Sequence, residues 1–279
     1  MRGVSAPAVL DWYRAKTRSV LEKYGPGPRV HFHVGFAEAD AAEADDLAVL
    51  RERLVAAQEA VLEESGRAFA ALCPWPVARL LDVGCGLGGG SLYWAERGAR
   101  VVALTPVAEH ARLVRGFARR QGLADRVTPC VADAHVLPAR DAFDAAIAVE
   151  SSCYLDRPAW FRALRDVLRP GGRVFVIDGF LGDPRVKRAF DAYWRTDLAS
   201  SAHYLEAAAA SGFVLEKQER LNARAAGFWA LSQAWTRARL RACPQDQARL
   251  LRSLEAHARF QEMYASGAVE YLRLAFRGR

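Results

Sequence analysis

The chain has 279 residues, which is enough to bury one substantial hydrophobic core as a large domain or as a domain with a cap. Its 39 Lys+Arg and 32 Asp+Glu residues give a formal net charge of +7, in a composition that is 52% hydrophobic. The charges are interspersed and the basic residues fall in helical patterns such as WTRARLRA, so we expect an anionic small-molecule substrate and no nucleic acid. Five cysteines without a C-x-x-C pair argue against a disulfide framework and a structural zinc site.

No segment of the sequence reads as a targeting signal or a membrane span. The first twenty residues lack a continuous apolar stretch, and a run of 18 apolar residues occurs nowhere. We therefore expect a cytoplasmic protein without a membrane span. The sequence is compatible with a homo-oligomer and leaves the oligomeric state open.

The amino-terminal quarter of the sequence has a helical pattern. Residues 1–71 follow an amphipathic period, interrupted by the loop KYGPGPRVHFHVGFAEAD, which is rich in glycine, proline and aromatic residues. We predict that residues 1–71 form a helical cap and a lid over the active site.

From Arg79 to about Asp178, short apolar runs alternate with segments of helical period. The runs RLLDVG, RVVALT, VTPCVAD, FDAAIAVE and RVFVIDGF are predicted strands, and their alternation with helices indicates a parallel sheet covered on both faces. Two later runs, GFVLEKQERL and VEYLRLAF, are predicted to extend one sheet edge in antiparallel orientation. The sequence thus predicts an α/β fold with a doubly wound, mostly parallel, seven-stranded sheet in residues 72–279, with inserted helices around 183–210 and 222–262 lining a substrate pocket.

A glycine-rich turn follows the first predicted strand, in LLDVGCGLGGGS. Gly84, Gly86 and Gly89 allow a tight turn and let the backbone approach a ligand that faces the amide groups of the next helix. A dinucleotide-binding turn would be accompanied by an acid after the second strand, and this sequence has none there. Instead, Asp82 lies inside the first strand, where a carboxylate would order the loop and favour a positively charged ligand over a pyrophosphate.

This turn, together with ALTPVAEHARL, VADAHVLP, FDAAIAVESSCYLDR and LRPGGRVFVID, resembles the class I S-adenosylmethionine-dependent methyltransferases over roughly residues 79–178. The resemblance implies a Rossmann-like methyltransferase fold and S-adenosylmethionine as the cofactor. The resemblance places Asp82, Gly84, Cys85, Gly86 and Val149 near the methionine end and sulfonium of this cofactor. It places Leu104 and Thr105 at the ribose, and Asp133 and Ala134 at the adenine. Many members carry an acid where this chain has Thr105, so here Thr105 would hold part of the ribose.

Shorter motifs narrow the resemblance to one branch. HFHVGF, ALTPVAEH, VESSCYL and YASGAVEYLRLAF are similar to segments of the sterol, tocopherol and prenyl-diphosphate C-methyltransferases, whose relatives include sugar and natural-product O-methyltransferases. In the terpene and sterol C-methyltransferases, a glutamate at the position of Glu150 acts as a base or stabilises a cation. The resemblance therefore implies that Glu150 is catalytic.

The chemistry of alkene methylation supports the same choice of residue. An alkene that attacks a methyl group becomes a carbocation, which is stabilised by aromatic faces and by a carboxylate that can also remove a proton. Glu150 is a bare carboxylate at the end of a predicted buried strand, where an unused charge would be costly. Ligands of an open parallel sheet bind at this end of the strands.

The predicted acceptor pocket consists of aromatic residues with a histidine and one cation for a diphosphate head group: Tyr24, His31, Phe32, Phe36, Tyr154, Phe180, Tyr193, Trp194, Trp229 and Arg188. Phe228 is a further aromatic candidate, and Arg29, Arg185, Lys187 and Arg224 are further cations. Any one of the aromatic residues is more often part of a core, and any one of the cations is more often a surface charge. A magnesium ion that bridges the diphosphate is compatible with this pocket, although no acidic cluster of the usual kind is apparent.

These arguments predict a C-methyltransferase that methylates an alkene carbon of a prenyl diphosphate, such as geranyl diphosphate, through a carbocation deprotonated by Glu150. Two alternatives are a sterol-type C-methyltransferase and an O-methyltransferase for a sugar or phenol, with His31 or His33 as the base. A third is a catalytically silent protein that uses the cofactor fold for binding. The sequence leaves open the acceptor's chain length, the methylated carbon and any cyclisation.

Overall fold

The computed structural model describes residues 6–38, 42–43, 46–137 and 139–279. The helices of the described residues are α1 (Ala6–Tyr24), α2 (Leu47–Ala70), α3 (Gly89–Glu96), α4 (Ala108–Arg120), α5 (Arg157–Val167), α6 (Lys187–Trp194), α7 (Ser201–Ala210), α8 (Asn222–Ala242) and α9 (Gln247–Ser266). The strands are β1 (Arg79–Val83), β2 (Arg100–Thr105), β3 (Val127–Val131), β4 (Phe143–Val149), β5 (Leu168–Leu181), β6 (Phe213–Arg220) and β7 (Val269–Gly278).

The seven strands form one sheet in the order β3-β2-β1-β4-β5-β7-β6. Strands β1 to β5 pair in parallel with their neighbours, whereas β7 pairs antiparallel with both β5 and β6. The predicted seven-stranded, mostly parallel sheet is confirmed. The prediction for the last two strands was right about the edge, but β7 is inserted between β5 and β6, so that β6 runs in the direction of the parallel strands.

The sheet is covered by helices on both faces because its strands are apolar on both faces. Side chains alternate along each strand, so that Leu80 packs into the core on one face and Leu81 into the core on the other. The first core includes side chains of α2, α3, α4, α8 and α9, and the second includes side chains of α5 and α7. This arrangement leaves the carboxyl ends of the parallel strands for a site.

The amino-terminal helices form a cap, as predicted, and the loop between them runs along the sheet domain. Gly89 N–H at the start of α3 donates to Val30 O (3.1 Å), and Phe36 N–H donates to Ala57 O of α2 (2.8 Å). Within the predicted cap, residues 1–5, 39–41 and 44–45 lie outside the described part. The role of the cap as a lid stays a prediction.

The two predicted insertions are helical. Helices α6 and α7 lie within residues 183–210, and α8 and α9 pack against each other in the second segment. Asn222 joins the start of α8 to the end of α9 and to β7, since its Nδ2 donates to Tyr264 O and Val269 O, both at 2.7 Å. None of the described helices is both long enough and apolar enough to cross a membrane.

Candidate active site

The glycine turn after β1 is held in a conformation that favours glycine. Gly84 has φ +71°, and a Cβ at this position would overlap the Cβ of Ser151 in the turn after β4. Ser151 Oγ in turn donates to Val83 O at 2.5 Å. Because of this close approach, the loops after β1 and β4 lie side by side at the carboxyl end of the sheet.

Asp82 connects strand β1 to helix α3. Its Oδ2 accepts a hydrogen bond from Ser91 Oγ at 2.5 Å, and burial raises the pKa of Asp82 to about 6. The sequence suggested that Asp82 orders the loop, but it gave no indication of Ser91. The buried carboxyl group of Asp82, with its pKa of about 6, is mostly ionised at neutral pH and places a negative charge beneath the glycine turn.

A cavity of about 600 Å³ lies over these loops. Its walls contain all nine residues that the sequence implied around the cofactor: Asp82, Gly84, Cys85, Gly86, Leu104, Thr105, Asp133, Ala134 and Val149. Residues of the loop between α1 and α2, including His31 and Phe32, form another part of the wall. The fold thus brings together residues from four strand ends, and their contacts with a cofactor stay predictions.

One hydrogen-bonded chain in this wall was not predicted from the sequence. Asp133 Oδ1 accepts hydrogen bonds from His135 N (2.9 Å) and His135 Nδ1 (2.6 Å). His135 Nε2 accepts a hydrogen bond from Asp156 N at 3.0 Å. Asp156 itself caps α5 by accepting from Ala159 N at 2.8 Å, so it serves as the helix cap that its position before Arg157-Pro158 suggests.

Glu150 lies at the end of β4 and has a left-handed backbone conformation, with φ +49°. Its Oε1 accepts hydrogen bonds from Val34 N (2.6 Å) and Tyr271 OH (2.8 Å). The other oxygen, Oε2, has no hydrogen-bond partner among the described residues. Half-buried, the carboxylate faces both the large cavity and a smaller one.

The smaller cavity, of about 50 Å³, is lined mainly by aromatic rings. They are Tyr13, Tyr24, Phe32, Tyr154, Phe190, Trp194, Phe228, Trp229 and Tyr264. Tyr13, Phe190 and Tyr264, as well as Tyr271 beneath Glu150, were not predicted, since each lies in a pattern that equally describes a core residue. In the part of the chain that the structure describes, neither cavity has a Lys or Arg in its wall.

A second carboxylate, Asp178, also lines the small cavity. It accepts hydrogen bonds from Ser152 Oγ (2.6 Å), Ser152 N (3.0 Å), Cys153 N (3.2 Å) and Gly179 N (2.8 Å). Burial raises the pKa of Glu150 to about 8, and the charge of Asp178 acts in the same direction, whereas the bonds from Tyr271 and Val34 oppose the shift. Glu150 is therefore the carboxyl group that is poised to gain or lose a proton near neutral pH.

The two histidines of the HFHVGF segment have different surroundings. His31 is buried, with Nε2 3.5 Å from Glu59 Oε1. The Nδ1 atom of His33 lies 2.8 Å from Val34 O, and its buried Nε2 has no partner in the described residues. Burial lowers the pKa of His33 to about 3, so its imidazole is neutral and weakly basic.

Four of the predicted acceptor residues do not reach either cavity. Phe180 faces the opposite side of the sheet, where its ring packs against Tyr204, because β5 directs even-numbered residues to that core. Phe36 packs edge-on against Tyr271, and Tyr193 packs behind Trp194. Arg188 is exposed at the surface of α6. The structure therefore places these four residues outside the walls of both cavities, and their predicted contacts with an acceptor stay untested.

The other predicted cations for a diphosphate are also absent from the cavity walls. Arg29 pairs with Glu59 and Glu96, and Arg224 with Glu64 and Glu38. Arg185 pairs with Asp183, and Lys187 with Asp191 and Asp197. Their charges are offset within the protein, so the head-group site predicted from the sequence is not assembled.

Comparison with known proteins agrees with this architecture. A sequence profile described as a methyltransferase domain matches residues 81–176. A probable chloroplastic tocopherol O-methyltransferase from Oryza sativa subsp. japonica is 32% identical over 197 residues, which are 64% of this chain and 52% of that protein. The chain spans between about a third and a half of the length of the first curated relatives that it matches.

Two solved structures cover nearly the whole chain. A geranyl diphosphate methyltransferase in complex with GPP and sinefungin superimposes with a TM-score of 0.82 at 25% identity, over 97% of this chain and 98% of that one. Geranyl diphosphate C-methyltransferase from Streptomyces coelicolor A3(2), in complex with Mg²⁺, geranyl-S-thiolodiphosphate and S-adenosyl-L-homocysteine, superimposes with a TM-score of 0.81 at 21% identity, over 100% of both chains. Residues 81–176 thus match a methyltransferase domain, and the whole chain has the fold of the solved methyltransferases.

Proposed function

We propose that this protein transfers a methyl group from S-adenosylmethionine to an alkene carbon of an isoprenoid, with a prenyl diphosphate such as geranyl diphosphate as the acceptor. In this proposal Glu150 removes the proton from the resulting carbocation. The observation that carries the proposal is the position of Glu150 between a cavity that suits the cofactor and a cavity lined by aromatic rings.

The residues of the large cavity fit S-adenosylmethionine. Gly86 has φ +53° and a Cβ there would meet no atom within 4 Å, so glycine leaves open space in the cavity wall. Asp82 and Glu150 line the same wall and suit a ligand with a positive charge. When bound, S-adenosylmethionine supplies an electrophilic methyl group on a sulfonium.

Glu150 is held in an orientation that suits a base. Its Oε1 receives two hydrogen bonds, which fix the carboxylate and leave Oε2 for the acceptor. In the reaction, the alkene π electrons form a bond to the methyl carbon while the carbon–sulfur bond breaks and its electron pair stays on sulfur. Glu150 then takes a proton from the carbon beside the cation, and the alkene is restored with a methyl group in place of a hydrogen.

The aromatic cavity favours an acceptor that becomes positively charged. Rings such as Tyr24, Trp194 and Trp229 present faces or edges to the space beside Glu150, and an aromatic face attracts a cation. Methylation of an acceptor hydroxyl would require a base, but it forms no carbocation that aromatic rings could stabilise. A positive charge in the site would also favour the ionised form of Glu150, whose pKa is raised to about 8 without it.

A magnesium ion that bridges the substrate diphosphate stays a prediction. In the described ranges, no group of three or more His, Cys, Asp or Glu side chains is arranged to hold a metal ion.

O-methylation of a phenol or sugar is a second candidate, because His33 lines both cavities and its buried Nε2 has no hydrogen-bond partner among the described residues. Its low pKa of about 3 makes it a weaker base than Glu150, which favours the first proposal.

An acceptor panel separates the candidates. We would incubate the protein with S-adenosylmethionine carrying a labelled methyl group and with prenyl diphosphates, sterols, tocopherol precursors, phenols and sugars in turn. Mass spectrometry should detect a labelled carbon–methyl bond in a prenyl diphosphate. Label found only on oxygen would reject the C-methylation proposal and support the His33 alternative.

A further inference from the structure

The proposed acceptor carries an anionic head group, but the walls of the two cavities contain no Lys or Arg among their described residues. A diphosphate placed beside Glu150 and Asp178 would be repelled by both carboxylates when they are ionised. If the hydrocarbon chain enters the aromatic cavity, the head group must be bound elsewhere. The candidates for this role are cations beside the cavity that are not already paired with a carboxylate.

The chain has four lysines, which differ in whether the described residues include a carboxylate partner for them. Lys187 and Lys217 form ion pairs with carboxylates, at 2.8 Å to Asp191 and 2.9 Å to Glu219. Lys16 and Lys23 have no carboxylate partner in the described part of the chain. They are seven residues apart in α1, which is about two helical turns or 10 Å, and therefore lie on the same face of that helix.

Both unpaired lysines lie directly behind the aromatic cavity. Lys23 Nζ is 5.2 Å from the ring centre of Tyr24, which lines that cavity, and donates to Ser232 Oγ at 3.1 Å. Lys16 Nζ is 5.4 Å from the ring centre of Tyr193, which packs 4.8 Å from the cavity residue Trp194. Each ammonium group is thus separated from the cavity by one or two aromatic rings.

The two ammonium groups are unfavourably placed unless an anion joins them. Burial and, to a smaller extent, repulsion from Lys16 lower the pKa of Lys23 to about 7. His257 of α9 experiences the charges of both lysines, whereas the nearby Arg249 is already paired with Glu22 and Asp246. Contacts with ring faces compensate the charge of each lysine only in part. A bound anion would stabilise the whole group.

We propose that Lys16 and Lys23 bind the anionic head group of the acceptor, a diphosphate or a phosphate, while its hydrocarbon chain passes between the aromatic rings toward Glu150. This assignment rests on the proposed function in one respect, that the acceptor has an anionic head group. The site combines two cations on one face of α1 with the aromatic cavity beside them, which is the pattern that an amphipathic isoprenoid phosphate requires.

Binding of inorganic diphosphate tests the site without any catalysis. Calorimetry would compare the wild type with Lys16→Gln, Lys23→Gln and the double variant, and Lys217→Gln is the matched control because that lysine is paired on β6. We expect each α1 substitution to weaken binding by about tenfold or more, and Lys217→Gln to leave it unchanged. Lys16→Arg and Lys23→Arg should retain most of the affinity. Equal affinity in the wild type and the double variant, or no binding by the wild type, would overturn the assignment.

A kinetic comparison separates this site from the proposed reaction. With geranyl diphosphate as acceptor, the double variant should have a KM raised by about 100-fold, while the affinity for S-adenosylhomocysteine stays the same. Geraniol, which lacks the diphosphate, should bind the wild type and the double variant equally. Unchanged KM values would reject the head-group site and leave the methylation proposal standing. Lysine-dependent binding of diphosphate without methylation of any prenyl acceptor would leave the site standing and reject the proposed reaction.

Discussion

The Glu150 carboxylate is positioned by an unusual backbone conformation and by two hydrogen bonds from distant parts of the chain. A left-handed φ of +49° is rare for a residue with a side chain and costs on the order of 1 kcal/mol or more, so the surrounding structure must maintain it. Val34 and Tyr271 hold the same oxygen from opposite ends of the sequence. The arrangement fixes a carboxyl group whose pKa is raised to about 8 by burial, and the two hydrogen bonds moderate that rise.

Replacing Glu150 by Gln tests this residue directly. The amide keeps the shape of the side chain and an oxygen for Val34 and Tyr271, but it cannot accept a proton. We expect kcat to fall by about 10³-fold or more, with cofactor affinity changed by less than about threefold, measured by single-turnover kinetics and calorimetry. Glu255→Gln, at an exposed position of α9, should leave both values unchanged. Turnover of Glu150→Gln at a rate near that of the wild type would show that this residue is not the base.

At the scale of the elements, the turn between β1 and α3 has a steric requirement that can be tested. Gly84→Ala places a Cβ against Ser151 at φ +71°, so we expect a loss of about 2 kcal/mol or more in the free energy of unfolding and weaker cofactor binding. Gly116→Ala is the matched control, because this glycine lies in α4 with no atom within 4 Å of the added Cβ. It should stabilise the protein by about 0.5–1 kcal/mol in urea unfolding. An alanine at Gly84 that is tolerated as well as the one at Gly116 would contradict the close approach of the two loops.

The elements also explain what the sequence could and could not predict. Strand and helix periods are local, so the alternation from Arg79 to Asp178 was sufficient to predict the order of elements, the parallel sheet and the end of the sheet at which Glu150 lies. Which face a strand residue takes depends on pairing across the sheet, and for that reason Phe180 was placed in the pocket when it lies in the opposite core. Tyr271 is 121 positions from Glu150, and no local pattern indicates such a contact.

At the scale of the whole molecule, the raised pKa of Glu150 makes the free energy of unfolding depend on pH. Its ordinary pKa is 4.5 and its pKa in the folded protein is about 8, so between these values the folded state binds more protons and stability falls as the pH rises. The Glu150→Gln variant has no ionisable group at this position, so it does not undergo this loss of stability. We expect the variant to equal the wild type near pH 4.5 and to exceed it by roughly 2–4 kcal/mol above pH 8.

Urea unfolding at pH 5 and pH 8.5 measures this difference. Comparing the two proteins at each pH cancels the other titrating groups, including Asp82 and Lys23, whose pKa values are also shifted. A difference that is independent of pH would mean that Glu150 titrates in the folded protein as it does in solvent.

The hydrogen bond from Val34 to Glu150 has a consequence for the timing of events in the catalytic cycle. Val34 belongs to the loop between α1 and α2, and its N–H favours the ionised carboxylate. Movement of this loop away from the sheet would remove that hydrogen bond, but it would also expose the carboxylate to water and so remove the burial that is the main cause of its raised pKa. The closed molecule then holds a carboxylate with a high proton affinity, whereas an open one presents solvent with an ordinary, weakly basic carboxylate, so that the strength of the base is coupled to enclosure of the acceptor.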